Sequence, residues 1–197
     1  VYVFSNTKLD GLDHKWVDTK LTFDLDLNNS ISQAITNQNE QVSEFNIDIH
    51  DFTSLKKLAF LSGIYSRFKL DKSLPSNCFY DLYTFWIKKS INPESPGKVF
   101  VYTLPGQSEK VLGFLSLKIE NNVGIIDLMA IDDNHQGLGI GRSLLNYSLI
   151  YLKKSNVELL KVSTQLINTG AVSFYKKYSF DESSRVYIYH LWPKKSH

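Results

Sequence analysis

The 197-residue sequence is long enough to bury one good core with an extension, but hardly two full domains. Its 22 basic and 20 acidic residues leave a net charge of +2 without long runs of one sign, which argues against a nucleic-acid footprint, and a hydrophobic fraction of 43% argues against disorder. The single cysteine, Cys78, has no internal disulfide partner and fits a reducing, cytoplasmic setting; no apolar run approaches the ~20 residues needed to cross a bilayer, and Val1-Tyr2-Val3-Phe4, soon followed by Lys8 and Asp10, does not read as a signal peptide.

Val1 to Phe4 has strand character, and Lys20 to Leu27 alternates cleanly at Leu21, Phe23, Leu25 and Leu27. Asn28 to Gln41 is polar and reads as a loop with one short helical piece. Phe45, Ile47 and Ile49 alternate again as a strand, so residues 1–44 read as a β-rich N-terminal extension ahead of a domain over residues 45–197. Asp51 to Ser62 is expected as a helix capped by Asp51 or Thr53, with Leu55, Leu58, Ala59 and Ser62 on one face and Gly63 at its end. Tyr65 to Asp71 forms a polar and aromatic connection. A second helix spans roughly Cys78 to Ser90, and Asn92-Pro93-Glu94-Ser95-Pro96-Gly97 stops it.

Lys98–Leu104 and Val111–Ile119 read as a hairpin, and Asn121-Asn122 turns the chain into an apolar strand, Ile125–Ile131. The loop Gln136-Gly137-Leu138-Gly139-Ile140-Gly141-Arg142 then leads into a helix to about Lys154. Strand Leu159–Gln165 follows. Ala171, Phe174, Tyr175 and Tyr178 fall at helical spacing after Asn168 or Thr169, either of which could cap them, and Val186 to Trp192 closes the chain as a last strand. Alternating strands and helices give a mixed α/β sheet with helices on both faces.

Glycines at 137, 139 and 141 let the backbone approach a ligand closely, and the unpaired N–H groups and dipole of a helix N-terminus make an anion site, so the ligand implied is a phosphate. A mononucleotide loop would need Lys-Ser/Thr after its last glycine, whereas Arg142-Ser143 stands here at the wrong spacing. A dinucleotide fingerprint would need glycine in place of Leu144 or Arg142. What remains, Gln136-x-x-Gly139-x-Gly141 after an apolar strand, resembles the pyrophosphate loop of the acyl-CoA-dependent N-acetyltransferase superfamily, the GNAT fold. Asn168-x-x-Ala171-x-x-Phe174-Tyr175 with Phe180 resembles the second half of that family's cofactor site. Within the family, Ser66-Arg67-Phe68 with Asp71, and Leu82-Tyr83 with Trp86 and Ser90, look like the dTDP-fucosamine acetyltransferases and related enzymes that acetylate nucleotide-linked amino sugars.

The resemblance implies a mostly antiparallel sheet and acetyl transfer from acetyl-CoA, without a metal, to a small amine, a nucleotide-linked amino sugar of surface-polysaccharide biosynthesis. The alternatives are a peptide or polyamine acetyltransferase and a non-catalytic acyl-CoA-binding module. It implies that Gly137 to Arg142, with Gln136, grip the cofactor phosphates, and that main-chain groups of Met129 and Ile131 pair with its pantetheine arm. Tyr175 becomes the proton donor to the departing sulfur, although its spacing also fits a core aromatic. Asn168 caps its helix, or its amide holds the cofactor or an ordered water that relays the amine proton, or it does both. No general base stands out in the residues themselves: Asp127, on the central strand with the parity of Met129, is the candidate, the alternative being that a weakly basic sugar amine needs only water, and His135 reads as a surface residue or phosphate neighbour. Arg67, Asp71 and Tyr83 become acceptor contacts, with a structural Arg67–Asp71 ion pair as the alternative. Ser179 stands where the family has glycine and must take the tight turn under strain or reshape it. The five histidines and one cysteine show no zinc spacing, and the aromatic last strand could pair across a homodimer.

Overall fold

Period-2 alternation of apolar side chains builds eight strands into one sheet, seen in a computed structural model that describes residues 1–12, 15–30 and 40–193. The strands are β1 (Tyr2–Ser5), β2 (Trp16–Asp26), β3 (Val42–Glu44), β4 (Gly97–Tyr102), β5 (Gly113–Glu120), β6 (Val123–Ile131), β7 (Leu159–Gln165) and β8 (Asp181–His190). Their order across the sheet is β1-β8-β2-β7-β6-β5-β4-β3, antiparallel throughout except between β6 and β7. The helices are α1 (Leu27–Ser30), α2 (Phe52–Ser62), α3 (Arg67–Leu70), α4 (Cys78–Ile91), α5 (Ile140–Lys154) and α6 (Thr169–Lys177).

Each face of the sheet has its own core. Leu144, Leu145, Leu149 and Leu152 of α5 and Tyr175 of α6 pack with Leu21, Phe23, Leu25, Leu115, Leu160 and Val162. On the opposite face Leu55, Leu58 and Ala59 of α2 and Ile87 of α4 pack on Val99, Val101, Phe114 and Ala130. Every fully buried leucine or phenylalanine here contributes ~1.5–3 kcal/mol relative to an exposed one. The α/β fold with a mixed, mostly antiparallel sheet and helices on both faces is the one expected from the sequence.

Residues 1–44, expected as an extension, supply three strands of this same sheet, β1, β2 and β3. Leu21, Phe23 and Leu25 of β2 are buried, and β2 lies between β8 and β7, paired with both. Of the polar stretch Asn28 to Gln41, residues 31–39 lie outside the described residues, while Leu27–Ser30 makes one helical turn.

Two expectations are corrected. Phe45, Ile47 and Ile49 do not form a strand: the ladder ends at Glu44, and Ile47 and Ile49 are exposed. The Asn46 side chain accepts from Asp48 N at 2.9 Å, its carbonyl accepts from Ile49 and His50 N, and its own N–H donates to His50 Nδ1 at 2.8 Å. Those local bonds offer the backbone a turn in place of a ladder. The aromatic end of β8 is also not free to pair across a dimer, because Tyr187 to Tyr189 already pair with both β2 and β1.

A β-bulge in β6 sets which side chains reach each face of the sheet. Ser116 opposes Leu128 and Leu117 opposes Ile126, which leaves Asp127 as the extra residue, and Leu128 N donates to Ser116 Oγ at 2.9 Å. The bulge swaps the faces. Ile126 packs with the α5 core, whereas beyond it Leu128 and Ala130 pack on the α2 side and Met129 and Ile131 on the α5 side.

Between α6 and β8, Ser179 takes φ +63°, the left-handed conformation expected of it. A Cβ there costs ~1–2 kcal/mol, and glycine's extra unfolded-state freedom returns part of that. Ser179→Gly is therefore expected to stabilise the fold by ~0.5–1 kcal/mol, read as a higher urea midpoint at unchanged slope; a lowered midpoint would contradict the strain.

Candidate functional site

Strands β6 and β7 pair only from Val123 with Leu159 to Ile126 with Val162. Beyond that point β6 stays on β5 as far as Ile131, and β7 stays on β2 as far as Gln165. The sheet therefore opens in the middle, and the backbone edge of Met129 to Ile131 faces a gap rather than a neighbouring strand. Unpaired backbone groups need partners, so this edge is a ready template for an extended amide-bearing ligand.

The end of β6 delivers the chain to a polar turn. Asp132 accepts from Asn134 N at 3.1 Å and pairs with His135 Nδ1 at 2.7 Å, so His135 is engaged in holding the turn. Gln136 Nε2 donates to Asp133 Oδ1 at 3.0 Å. Gly137 and Gly139 then take φ +77° and +82°, with open space where a Cβ would stand. Gly139 is the N-cap of α5 and offers no side-chain acceptor, so the first N–H groups of a 15-residue helix point into the opening uncapped. Gly141 serves differently: a Cβ would lie 3.1 Å from the Phe174 ring and 3.4 Å from Ile131, so its smallness lets α6 close over the start of α5.

A cleft of about 590 Å³ occupies this opening. Met129, Ile131, Gln136, Gly137, Gly139, Ile140, Gly141, Arg142, Asn168 and Tyr175, all expected at a site, line it. Leu138, expected with them, is 70% exposed and lines neither this cleft nor the next. The donor set fits an acyl-CoA: uncapped helix N–H groups with Arg142 for phosphates, and a free strand edge for the amide-bearing arm.

A second cavity of about 230 Å³ lies on the other side of Tyr175, lined by Arg67, Phe68, Tyr83, Trp86, Asp127 and Thr164 among others. Ser62, Met129, Asn168, Ala171 and Tyr175 border both cavities, so Tyr175 stands at their junction. Its side chain is 5% exposed, its hydroxyl lies 3.9 Å from Met129 Sδ, and burial pushes its phenol well above the usual range. Asn168 caps α6 through Oδ1, which accepts from Ala171 N at 3.2 Å, so the capping role is realised beside a place in both linings. Asp127 lies 3.5 Å from Lys118 Nζ; burial raises its carboxyl pKa, and the lysine only partly opposes the rise. Burial also raises the Tyr83 phenol. Asp18, which interacts electrostatically with Arg67 and Tyr83, is buried, and burial pushes it up to about 6 against the opposing charge of Arg67.

Arg67 and Asp71 do not pair. Arg67 lies over the rings of Phe68 and Phe4, at 4.4 and 5.9 Å from their centroids, while Asp71 lines neither cavity and is bonded to His190 and Trp192. The turn at Leu70-Asp71 carries the carboxylate away from the guanidinium. Ser62, at the end of α2, and Thr164 and Gln165 of β7 line the second cavity without having been expected there; the placement of Thr164 and Gln165 follows from the parting of β6 and β7, which no local pattern encodes. Among the described residues no group of three or more His, Cys, Asp or Glu side chains could hold a metal, and no helix is long and apolar enough to cross a membrane.

The model of the acetyltransferase (GNAT) family matches residues 62–180, more than half of the chain. The chain is 26% identical over 145 residues to the spore coat polysaccharide biosynthesis protein SpsD of Bacillus subtilis, covering 74% of this chain and 49% of that protein. It is 32% identical over 68 residues to N-alpha-acetyltransferase 30 of Schizosaccharomyces pombe, covering 34% of this chain and 45% of the other. The chain thus spans about half the length of these curated relatives. Among solved structures, a functionally unknown conserved protein from Staphylococcus epidermidis superposes with a TM-score of 0.65 at 10% identity, over 95% of this chain and 71% of that one. N-myristoyltransferase of Saccharomyces cerevisiae with bound myristoyl-CoA does so with 0.61 at 14%, over 95% and 50%. At such identities the likeness is one of fold.

Gly139→Ala meets no side chain but must hold a Cβ at φ +82°. It is expected to destabilise by ~1–2 kcal/mol in urea unfolding, whereas Gly139→Asn, which tolerates that conformation better, is expected to lose clearly less; equal losses would remove backbone strain as the cause.

Proposed function

The chain belongs to the acetyltransferase (GNAT) family, and from that premise we propose that it transfers the acetyl group of acetyl-CoA to the amine of a nucleotide-linked amino sugar, in the cytoplasm, for polysaccharide biosynthesis. One observation carries the transferase reading: the parting of β6 and β7 brings an open strand edge, an uncapped helix N-terminus and a buried tyrosine to the junction of two cavities. The sugar reading draws support from the likeness to SpsD, a protein named for polysaccharide biosynthesis, and from the second cavity. That cavity offers a guanidinium for an anionic group and the rings of Phe68, Tyr83 and Trp86 for flat or apolar ones.

Acetyl-CoA supplies a thioester, and the residues supply position and two proton sites. N–H groups of Gly137 to Arg142 receive the phosphates, with Gln136 bracing the turn before them. Backbone groups of Met129 and Ile131 align the arm along β6, and Asn168 and Ala171 close the far wall. The amine lone pair forms the new N–C bond as the C–S bond breaks. Asp127 takes the proton that the amine nitrogen sheds, and the Tyr175 hydroxyl faces the sulfur that leaves.

Magnitudes decide how Tyr175 acts. A free phenol near 10 against a thiol near 8.5 already makes full proton transfer uphill by ~2 kcal/mol, and burial widens that gap. Tyr175 therefore works as a hydrogen-bond donor that keeps its proton and whose bond strengthens as charge develops on sulfur; the thiolate leaves as such, and the proton that Asp127 takes returns to solvent. Asp127 is shifted in the useful direction, since a raised carboxyl pKa makes a stronger base.

Thiol release from acetyl-CoA across nucleotide-linked amino sugars, free amino sugars, peptides and polyamines tests the function. Release confined to a nucleotide-linked sugar is expected; release with peptides or polyamines alone would discard the sugar, and binding of acetyl-CoA without release would favour a binding module. Tyr175→Phe is expected to lower kcat at least tenfold with the acetyl-CoA dissociation constant within twofold, and full retained turnover would refute the donor role. Because the Asp127 carboxyl is raised, it gains its proton at a higher pH than an ordinary aspartate. Activity should therefore fall as pH drops through that raised value, and Asp127→Asn should abolish this acidic limb and lower kcat by about 100-fold. An acidic limb that survives the substitution would belong to another group.

A further inference from the structure

Helix α3 carries Arg67 and Phe68 to the smaller cavity, yet it has four residues and no fully buried side chain. Lys69 and Leu70 N–H donate to Ser66 O, and Asp71 N–H to Arg67 O. So short a helix fixes several dihedrals for few hydrogen bonds and does not hold its shape unaided. On one side it is tied to α4: Lys69 Nζ donates to the Tyr80 hydroxyl at 3.0 Å, and the Phe68 ring meets Trp86 edge-on at 5.9 Å.

On the other side Asp71, the C-cap residue of α3, reaches the end of β8. Its Oδ2 accepts from His190 Nδ1 and, at 3.0 Å, from Trp192 Nε1, while Oδ1 accepts from Ser73 N at 2.9 Å. Burial works against the Asp71 charge, but these three donors outweigh it and hold the carboxyl below its usual range. His190 is 1% exposed and its ring stands 4.4 Å from that of Tyr2 in β1. Its Nε2 is buried without a hydrogen-bond partner among the described residues, and His190 lines neither cavity. A general base would need that nitrogen to reach the acceptor. The ring's one hydrogen bond goes instead to Asp71.

We infer that the Asp71–His190 pair is a positioning device for acceptor recognition: it pins α3 between β8 and α4 so that Arg67 and Phe68 present themselves to the acceptor, which neither Asp71 nor His190 touches. The inference rests on the smaller cavity being the acceptor site. It gives Asp71 a role in acceptor binding that acts through its neighbours, and it makes the β1–β8 edge of the sheet part of the specificity apparatus.

The test compares Asp71→Ala, His190→Ala and His190→Asn in the full chain by hydrogen–deuterium exchange and by kinetics with the amine that the thiol-release panel identifies. Both alanine variants are expected to speed exchange at amides 69–71 at least tenfold while β6 and α5 keep their protection. The acceptor KM should rise at least tenfold, with the acetyl-CoA KM within twofold and kcat at saturation within threefold. His190→Asn, whose amide can donate from near the Nδ1 position, should recover most of both effects. Unchanged exchange at 69–71 overturns the inference, as does faster exchange with an unchanged acceptor KM. If the alanine variants do not fold, Trp192→Phe removes one Asp71 bond at a partly exposed position, and an unaltered acceptor KM there overturns it as well. Should the wild type acetylate no amine of the panel, the acceptor reading fails separately, and exchange at 69–71 still decides whether the pair pins α3.

Discussion

Everything that matters at this site depends on two neighbouring strands ceasing to hydrogen-bond. β6 and β7 share four paired positions and then keep different partners, β6 staying with β5 and β7 with β2. An interior strand edge left without a partner would be costly if it were sealed in protein. Here it borders a cleft of about 590 Å³ that α5 enters with uncapped N–H groups. One topological event thus leaves an unpaired strand edge and an uncapped helix N-terminus a few residues apart in the chain.

The bulge at Asp127 is the local partner of that event. By adding one residue between Ile126 and Leu128, it inverts the faces of the strand after the last β6–β7 pair, so that Met129 and Ile131 face the α5 side. The same extra residue is the carboxylate in the second cavity. Bulges bend a strand and increase its twist, and this one coincides with the position at which β6 leaves β7. Ser116, buried behind it, takes the Leu128 N–H at the irregularity.

The two cavities are built on different principles. The larger is made of backbone, glycines at positive φ and a helix terminus, which recognise a ligand whatever else varies around them. The smaller is made of side chains carried on α3, α4 and the diverging strands, where Arg67 over Phe68 and the rings of Tyr83 and Trp86 set shape and charge. The smaller cavity relies on remote support, since α3 is a single turn braced between Tyr80 and Trp86 of α4 and His190 of β8.

Features whose cause is local were legible in the chain itself. The glycine spacing before Ile140, the Asp51 and Asn168 caps, the stop at Asn92–Gly97 and the strained Ser179 each depend on a few adjacent residues, and all stand where local chemistry puts them. The false strand at Phe45 to Ile49 shows the limit of period-2 reasoning, because Asn46 and His50 satisfy the same backbone groups in a turn. Asp71 was grouped with Arg67 by the family resemblance, as an acceptor contact or an ion pair, yet the ring partners of its carboxylate lie 119 and 121 residues away. The sequence alone determined most of the elements, the glycine loop before α5 and the family resemblance, since these rest on dihedral preference, periodicity and capping within short windows. Only the tertiary structure decided that β2 enters the sheet between β7 and β8, that β6 and β7 part to open the cleft, and that Asp71 turns toward β8. Those outcomes come from long-range pairing and burial, in which each strand's partner is chosen by the whole core rather than by its neighbours in the chain.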